Sequence, residues 1–282
     1  MSERMVNTRV GRLKVSVQGE SHQLATALLW HSLFVDERTW ERVTPDLARD
    51  RNLILVTGPG HGTSGDPGHP YTMEDCAEAA LEVLDALGVD APVDWVGNAW
   101  GGHVGIVFAA QHPDRVRTLI TAGTPVHPYR IGDRLRTSLL LAIYRLFGPL
   151  RLITNAVVEA LLSEHTRTTD PSAAGLVRDC FSGADRARMT NAVASVSLSR
   201  LDLKPLLPAV QTPTLLLTGS AHPDWSPDQM RAAATLLADC STHVVEGAAY
   251  LLPLEAPTEF GRLVRAFWTA HPASDQLVTD SD

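Results

Sequence analysis

VDWVGNAWGGHVGIVFAAQHP, residues 93–113, is an apolar run with β-branched residues, then a turn framed by glycines, then an apolar run of helical character. Gly97, Gly101 and Gly102 surround the turn. Small residues suit a strained turn whose following helix packs closely on a sheet. The segment therefore predicts a strand, a tight turn and a helix.

Similar strand and helix patterns alternate on both sides of this segment. Short apolar runs bounded by turn residues predict strands at 13–17, 25–30, 53–56, 93–96, 118–122, 214–218 and 242–245. Longer runs, several opened by Ser, Thr or Asp, predict helices at 37–48, 72–87, 100–112, 227–238 and 256–269. This alternation predicts an α/β protein with a mostly parallel sheet covered on both faces, the first strands forming an antiparallel edge.

The alternation is interrupted between residues 125 and 207. This segment has a helical pattern and includes the apolar stretch LRTSLLLAIYRLF, residues 135–147. We interpret it as a helical cap inserted into a core formed by residues 1–124 and 208–272. Its apolar residues either pack against neighbouring helices or form a lid over a ligand cleft. Residues 273–282 are small, polar and acidic, which predicts a flexible tail.

Composition excludes several classes of partner. The chain has 282 residues, 44% of them hydrophobic, and a formal net charge of −8. No run of basic residues indicates a nucleic-acid or anionic-membrane face, so we expect neither partner. Cys76, Cys180 and Cys240 are widely spaced and odd in number, which favours reduced thiols. With no signal sequence or membrane-spanning run, we expect a cytoplasmic protein.

Four further motifs accompany the central segment in a fixed order. WHSLFVDERTW (30–40) and GPGHGTSGDP (58–67) precede it, and PTLLLTGSAHPDWSP (213–227) and VVEGAAYLLPLEAP (244–257) follow it. In the α/β-hydrolase superfamily, the first resembles the oxyanion loop and the second the G-x-G-x-S turn after the following strand. The central segment resembles the nucleophile elbow, and the last two motifs resemble the loops that deliver the catalytic acid and histidine. The resemblance covers nearly the whole chain and implies that family's fold with an inserted cap.

This chain departs from the family at all three catalytic positions. Alanine (Ala99) stands at the serine position, His222 at the acid position and Tyr250 at the histidine position. Because an alanine methyl group cannot attack a carbonyl, the covalent serine mechanism has no nucleophile. Asp224, two residues beyond the acid position, remains an alternative for the acid, and His243 for the histidine.

The resemblance also implies an oxyanion hole, because that site uses mainly backbone N–H groups. The donors here are the amides of Leu33 and Trp100. Preorganised donors of this kind stabilise any developing oxyanion, with or without a nucleophile. We therefore expect that the site can remain catalytic without a nucleophile.

Three ionisable side chains are the catalytic candidates: His222, Tyr250 and His31. The alternative for each is a structural role, and the family's oxyanion-loop histidine usually has one. Further candidates for substrate binding are Trp30, Ser32, Asn98 and Trp225. The sequence has neither a phosphate-binding loop nor a metal-binding spacing, so we expect no cofactor and no metal.

Three functions fit this pattern. The favoured one is a cofactor-independent, non-covalent enzyme, of lyase, isomerase, dehydratase or cyclase type, acting on a carbonyl-bearing, mainly apolar small molecule. The second is a hydrolase in which His31 or His222 activates water directly. The third is a non-catalytic small-molecule binding protein or a partner of an active homologue. A homodimer is compatible with each.

Overall fold

A computed structural model describes residues 2–19, 21 and 23–273. Eight strands form one sheet in the order β1-β2-β4-β3-β5-β6-β7-β8. Strand β1 pairs antiparallel with β2, and β2 antiparallel with β4, whereas every other neighbouring pair is parallel. The strands are β1 Ser2–Thr8, β2 Gly11–Gln18, β3 Thr26–Trp30, β4 Asn52–Thr57, β5 Val93–Asn98, β6 Val116–Ala122, β7 Thr214–Gly219 and β8 Cys240–Val245. The predicted α/β class and antiparallel edge are confirmed.

Helices cover the sheet and fill the gap between β6 and β7. The helices are α1 Thr44–Leu47, α2 Met73–Ala86, α3 Trp100–Gln111, α4 Ile131–Phe147, α5 Arg151–Leu161, α6 Glu164–Thr169, α7 Pro171–Gly183, α8 Arg186–Val193, α9 Pro227–Ala234, α10 Leu252–Glu255 and α11 Pro257–Ala270. Five of them, α4 to α8, lie in succession between β6 and β7. From residue 274 on, the tail predicted for 273–282 lies outside the described residues.

The sheet separates two apolar cores, because successive residues of a strand point to opposite faces. In β3, Leu28 and Trp30 pack into one core, and Ala27 and Leu29 into the other. The first core contains α2, α3 and residues of the segment between β6 and β7. The second contains α1 and α11. The site described next lies where the first core meets that segment.

The structure differs from the predicted elements at the N-terminal side. Strand β1 was not predicted, because it is an edge strand whose polar side chains leave only Val6 buried. The single helix predicted for 37–48 is a 3-10 turn, Glu37–Trp40, followed by the short α1. Within the described part of the chain, no helix is long and apolar enough to cross a membrane.

Candidate active site

The turn between β5 and α3 keeps the strained geometry of a nucleophile elbow. Ala99 has φ 47° and ψ −101°, a left-handed conformation that is uncommon for a residue with a side chain. The glycines permit this turn: a Cβ on Gly97 would lie 2.2 Å from the Gly101 carbonyl oxygen, and one on Gly101 1.9 Å from the Trp30 carbonyl oxygen. The elbow therefore carries the Ala99 methyl group at the tip of a turn whose backbone packing requires glycine at positions 97 and 101.

The loop after β3 lies against this turn. The Gly101 N–H donates a hydrogen bond to the His31 carbonyl oxygen over 3.2 Å. The amides of Leu33 and Trp100 make no hydrogen bond within the described part of the chain. Trp100 is the first residue of α3, where an N–H has no partner within the helix. Both amides are thus unbonded, as an oxyanion hole requires, but both residues are buried.

His31 is held on both sides by the backbone. Its Nε2 accepts a hydrogen bond from the Gly58 N–H over 2.9 Å, so Nδ1 carries the proton and donates it to the Ser32 carbonyl oxygen at 2.6 Å. Burial also lowers the pKa of His31. We assign His31 a structural role, because neither ring nitrogen is left for a substrate or a water molecule.

His222 and Tyr250 are in direct contact, but they do not form a hydrogen-bonded pair. Their ring centroids lie 3.7 Å apart at an interplanar angle of 42°. The Nδ1 atom of His222 accepts from the Asp224 N–H over 3.1 Å, and Nε2 has no hydrogen-bond partner in the described structure. Burial lowers the pKa of His222 to about 3, so the ring is neutral at pH 7 with its proton on Nε2. The ring therefore offers no free lone pair to act as a base.

The Tyr250 hydroxyl makes no hydrogen bond among the described residues, and it is not fully buried. Tyr250 lies on the wall of the cavity described below. Burial, with a smaller effect of the Asp224 charge, raises the pKa of Tyr250. The phenol is protonated at pH 7, and its O–H is free to donate. Of the three residues at the triad positions, Ala99, His222 and Tyr250, Tyr250 is thus the one best placed to contact a ligand.

Asp224 belongs to a charged cluster rather than to a catalytic triad. Its carboxylate contacts His127 Nε2 at 3.1 Å and Arg200 Nη2 at 2.8 Å. Burial acts to raise the pKa of Asp224, but Arg200 and His127 outweigh burial and lower it. The carboxylate is ionised at pH 7. Asp224 was the alternative for the acid, but the histidine that its carboxylate hydrogen-bonds is His127 and not the residue at the histidine position, Tyr250.

A cavity of about 470 Å³ lies between these loops and the helices of residues 131–198. On the core side it is lined by Phe34, Pro223, Asp224 and Tyr250, and its other wall comes mainly from α4 and α5. This volume is in the range of small-molecule sites. Neither Ala99 nor Leu33 nor Trp100 lines it.

The remaining predicted site residues lie away from the cavity. Trp30 is fully buried with its ring packed edge-on against Trp100, and the Ser32 carbonyl serves His31. Asn98 Nδ2 donates to the carbonyl oxygens of Ala122 and Tyr250 at 2.9 and 2.7 Å, which ties the elbow to the turn after β8. Trp225 is buried beside His127. In this arrangement these residues support the site and do not line it.

Sequence reasoning missed the polar groups of the cavity wall. Among them are Tyr129, Arg130, Asp133, Arg136 and Glu159. All lie in the segment that was interpreted as a cap, either within a helix or in the residues directly before it. They were missed because a polar residue at such a position normally indicates a solvent-exposed face. The apolar stretch 135–147 was the available signal, because a helix with apolar residues on most sides has two faces to cover. Across the described residues there is no cluster of three or more candidate metal ligands.

Comparison with known proteins finds a matching family, related sequences and similar folds. The family described as "alpha/beta hydrolase fold" matches residues 27–147. A pimeloyl-[acyl-carrier protein] methyl ester esterase of Neisseria meningitidis serogroup A is 24% identical over 241 residues, 85% of this chain and 75% of that protein. A 2-hydroxymuconate semialdehyde hydrolase of Pseudomonas sp. strain CF600 is 37% identical over 86 residues, which covers only 30% of each chain.

A solved structure resembles the whole fold. A thermophilic esterase from Thermogutta terrifontis superposes with a TM-score of 0.86 at 24% identity, covering 96% of this chain and 100% of that one. At this identity the likeness concerns the fold alone. The relatives' names describe hydrolysis by those proteins, whereas the residue at this chain's elbow is alanine.

Proposed function

Because the chain is a member of the α/β-hydrolase superfamily whose elbow carries alanine, we propose that it binds a carbonyl-bearing, mainly apolar small molecule without forming a covalent intermediate. The observation that carries this proposal is the Tyr250 hydroxyl, which is protonated, unbonded to any described residue and part of the cavity wall. A carbonyl oxygen accepts hydrogen bonds and has no proton to give, so it complements the Tyr250 O–H, while the apolar residues of the same wall, such as Leu140, Ile153 and Val157, complement an apolar body.

Reversible binding is the function that the rest of the geometry supports best. The Leu33 and Trp100 amides and Ala99 are not part of the cavity lining, and His31 and His222 have their ring lone pairs engaged by backbone N–H groups. A hydrolase that activates water directly needs a free base at the ligand, and neither histidine provides one. A ligand in the cavity is instead held by shape, apolar contact and the Tyr250 O–H.

A titration with 6-propionyl-2-(dimethylamino)naphthalene, a fluorescent apolar ketone, tests this proposal. We expect saturable binding with a blue shift of the emission, and an about fivefold weaker affinity in Tyr250→Phe, the loss of one neutral hydrogen bond. The matched control is Tyr129→Phe, because the Tyr129 hydroxyl also lies at the cavity but is bonded to Thr137 at 3.1 Å. Its affinity should stay unchanged.

A second variant locates the bound ketone. Ala156 lines the cavity from α5, so Ala156→Trp should obstruct part of it and weaken binding at least tenfold. Equal affinities of the wild type and Tyr250→Phe would contradict the role of Tyr250. Undiminished binding to Ala156→Trp would show that the ketone binds elsewhere and would contradict the cavity as the site.

A non-covalent enzyme of lyase, isomerase, dehydratase or cyclase type is the second candidate, favoured by the pairing of Tyr250 with an ionised carboxylate on the same wall. In such a reaction the Asp224 carboxylate accepts a proton from the carbon next to the carbonyl, the C–H electron pair forms the enol double bond, and Tyr250 O–H donates to the carbonyl oxygen. Asp224 lines the cavity beside Tyr250.

Deuterium exchange distinguishes the two candidates. The propionyl group of the same ketone has exchangeable α-hydrogens, so an enzyme of this kind incorporates deuterium from D₂O during incubation. Mass spectrometry of the recovered ketone should then show exchange by the wild type and background exchange by Tyr250→Phe. Binding without exchange above background would exclude enolisation of this ketone and leave the binding function.

A further inference from the structure

Helix α4 exposes an apolar stripe on the outer side of the cavity. The side chains of Ile131, Leu135, Leu139 and Leu146 are 80%, 68%, 63% and 72% exposed. With 3.6 residues per turn, these four positions and Ala142 fall within a sector about 80° wide and extend over about 22 Å of the helix. Exposed Phe147, Leu150 and Leu152 continue the apolar surface past the end of α4. We call residues 131, 135, 139, 142 and 146 the outer stripe.

The stripe is not the core-facing side of the helix. Thr137, Leu140, Leu141 and Tyr144 face the other way and line the cavity. An isolated exposed leucine is ordinary, but a contiguous row of large apolar side chains on a protein surface marks an interaction site. Helix α4 therefore has one apolar face for the cavity and a second one for an external partner.

Arginines border the outer stripe. Helical geometry places Arg134 and Arg145 along one margin, and Arg136 lies beyond the other margin, where it also lines the cavity. None of the three forms an ion pair in the part of the chain that the structure describes. Residues 130–152 contain five arginines and one carboxylate, Asp133, in a chain whose net charge is −8.

This charge pattern decides between possible partners. The outer stripe and the margin with Arg134 and Arg145 contain no acidic residue, whereas Asp133, like Arg136, lines the cavity. Two copies of the stripe facing each other in a symmetric dimer would therefore bring arginines against arginines. An anionic surface complements the arginines, and an apolar layer beneath that surface complements the leucines.

We propose that the outer stripe of α4 docks on the surface of a membrane containing anionic lipids. An interfacial helix of this kind lies in the plane of the surface, with its apolar residues at the acyl boundary and its arginine side chains extending to the lipid headgroups. Such a helix does not need the length of a membrane-spanning one. The docked helix also forms the outer wall of the cavity. An apolar ligand that leaves the bilayer would therefore only have to pass α4 to reach the cavity.

This proposal departs from the sequence-based expectation of no membrane partner. That expectation looked for consecutive basic residues, whereas Arg134 and Arg145 are eleven positions apart and lie on one side of the stripe only when the chain is helical. It is independent of the ligand-binding proposal, because vesicle binding needs no occupied cavity. Each can fail while the other holds.

Co-sedimentation of the full chain with lipid vesicles tests the docking surface. We expect at least tenfold stronger binding to vesicles of equal phosphatidylglycerol and phosphatidylcholine than to phosphatidylcholine alone. Raising NaCl from 0.1 M to 1 M should weaken it strongly, because the screening length falls from about 10 to about 3 Å. Equal binding to both vesicle types, or none to the anionic ones, would overturn the proposal.

Surface variants localise the binding. Leu135→Ser/Leu139→Ser/Leu146→Ser and Arg134→Gln/Arg145→Gln should each lower vesicle binding at least tenfold. The matched control is Leu201→Ser/Arg262→Gln, at two exposed positions outside the stripe, which should bind as the wild type does. All changed residues are exposed, so circular dichroism should show folded protein throughout. Unchanged vesicle binding by the leucine variant, or a dimer in light scattering that this variant abolishes while vesicles bind no protein, would contradict membrane docking.

Discussion

Ala99 combines a strained backbone with an inert side chain. Its positive φ persists although no nucleophile has to be presented, because the turn is also the link between β5 and α3 and is enclosed by Gly97 and Gly101. Nearby, the His222 ring packs on Tyr250, and the two side chains do not share a hydrogen bond. The inert elbow therefore lies beside two ionisable side chains that do not form a hydrogen-bonded acid and histidine pair.

The variant Ala99→Ser should not create an esterase. The new hydroxyl would have no base, since His222 Nδ1 accepts from the Asp224 N–H and the Tyr250 phenol stays protonated. Hydrolysis of p-nitrophenyl acetate by this variant should remain at the wild-type background, with no acetylated protein in mass spectra.

The control restores all three family positions together. Ala99→Ser/His222→Asp/Tyr250→His supplies a serine with a base and an acid, and a general base contributes about 10²-fold or more. Its hydrolysis should exceed that of Ala99→Ser by about that factor. Robust esterase activity of the single variant would show that a base already lies beside Ala99, against the assignment of His222 and Tyr250.

At the scale of elements, the close approach of α3 to β3 holds the elbow in place. A methyl group on Gly101 would lie 1.9 Å from the Trp30 carbonyl oxygen, so the helix or the strand would have to move. Gly101→Ala should lower the free energy of unfolding by about 3 kcal/mol, as overpacking against a rigid backbone does. Urea unfolding followed by circular dichroism measures the change.

Gly175 provides the matched control for that variant. It lies inside α7, and a Cβ there would meet no atom within 4 Å. Gly175→Ala should therefore raise the free energy of unfolding by about 0.5–1 kcal/mol, because alanine favours the helix. If the two variants were equally stable, the close contact at Gly101 would not be what fixes the elbow.

The same elements show what a sequence can predict. The strand at 93–96 and the helix at 100–112 follow from apolar periodicity and glycine spacing, and β5 and α3 lie there. Edge strand β1 has too few buried residues to give such a signal. Sequence order put His222 and Tyr250 on adjacent loops, but their tilted ring contact depends on Gly123, whose φ of 58° and missing side chain let both residues approach.

The cavity was beyond sequence reasoning for a different reason. Its walls come from α4, α5 and the loops after β7 and β8, so its shape is set by how the segment between β6 and β7 packs on the core. No pattern within one element reports that packing. The partners of Asp224 are a similar case, since His127 and Arg200 are 97 and 24 positions away in sequence.

For the whole molecule, buried neutral histidines predict an acid-sensitive fold. Burial lowers the pKa values of His61, His103 and His222 to about 3, against about 6.5 in an unfolded chain. Between these values the unfolded chain binds more protons than the folded one. The stability they contribute is therefore present above about pH 6.5 and is lost as the pH falls towards 3.

Urea unfolding at pH values from 7.5 to 5 measures this loss before most carboxylates titrate. The free energy of unfolding should fall below about pH 6.5, with up to about 1.4 kcal/mol per pH unit from each buried histidine. His165→Gln is the control, because His165 is exposed and its removal should leave the slope unchanged. A free energy that stays constant or rises as the pH is lowered from 6.5 to 5 would contradict the buried neutral state.

For the molecule as a whole, our proposal places the ligand in the cavity under α4 and α5 and not at the elbow. A crystal structure of the protein with 6-propionyl-2-(dimethylamino)naphthalene tests this claim most directly. We predict the ketone inside the cavity, with its carbonyl oxygen about 2.7–3.0 Å from the Tyr250 hydroxyl oxygen and no bond to the protein. A carbonyl oxygen bound instead by the Leu33 and Trp100 amides above Ala99 would contradict it.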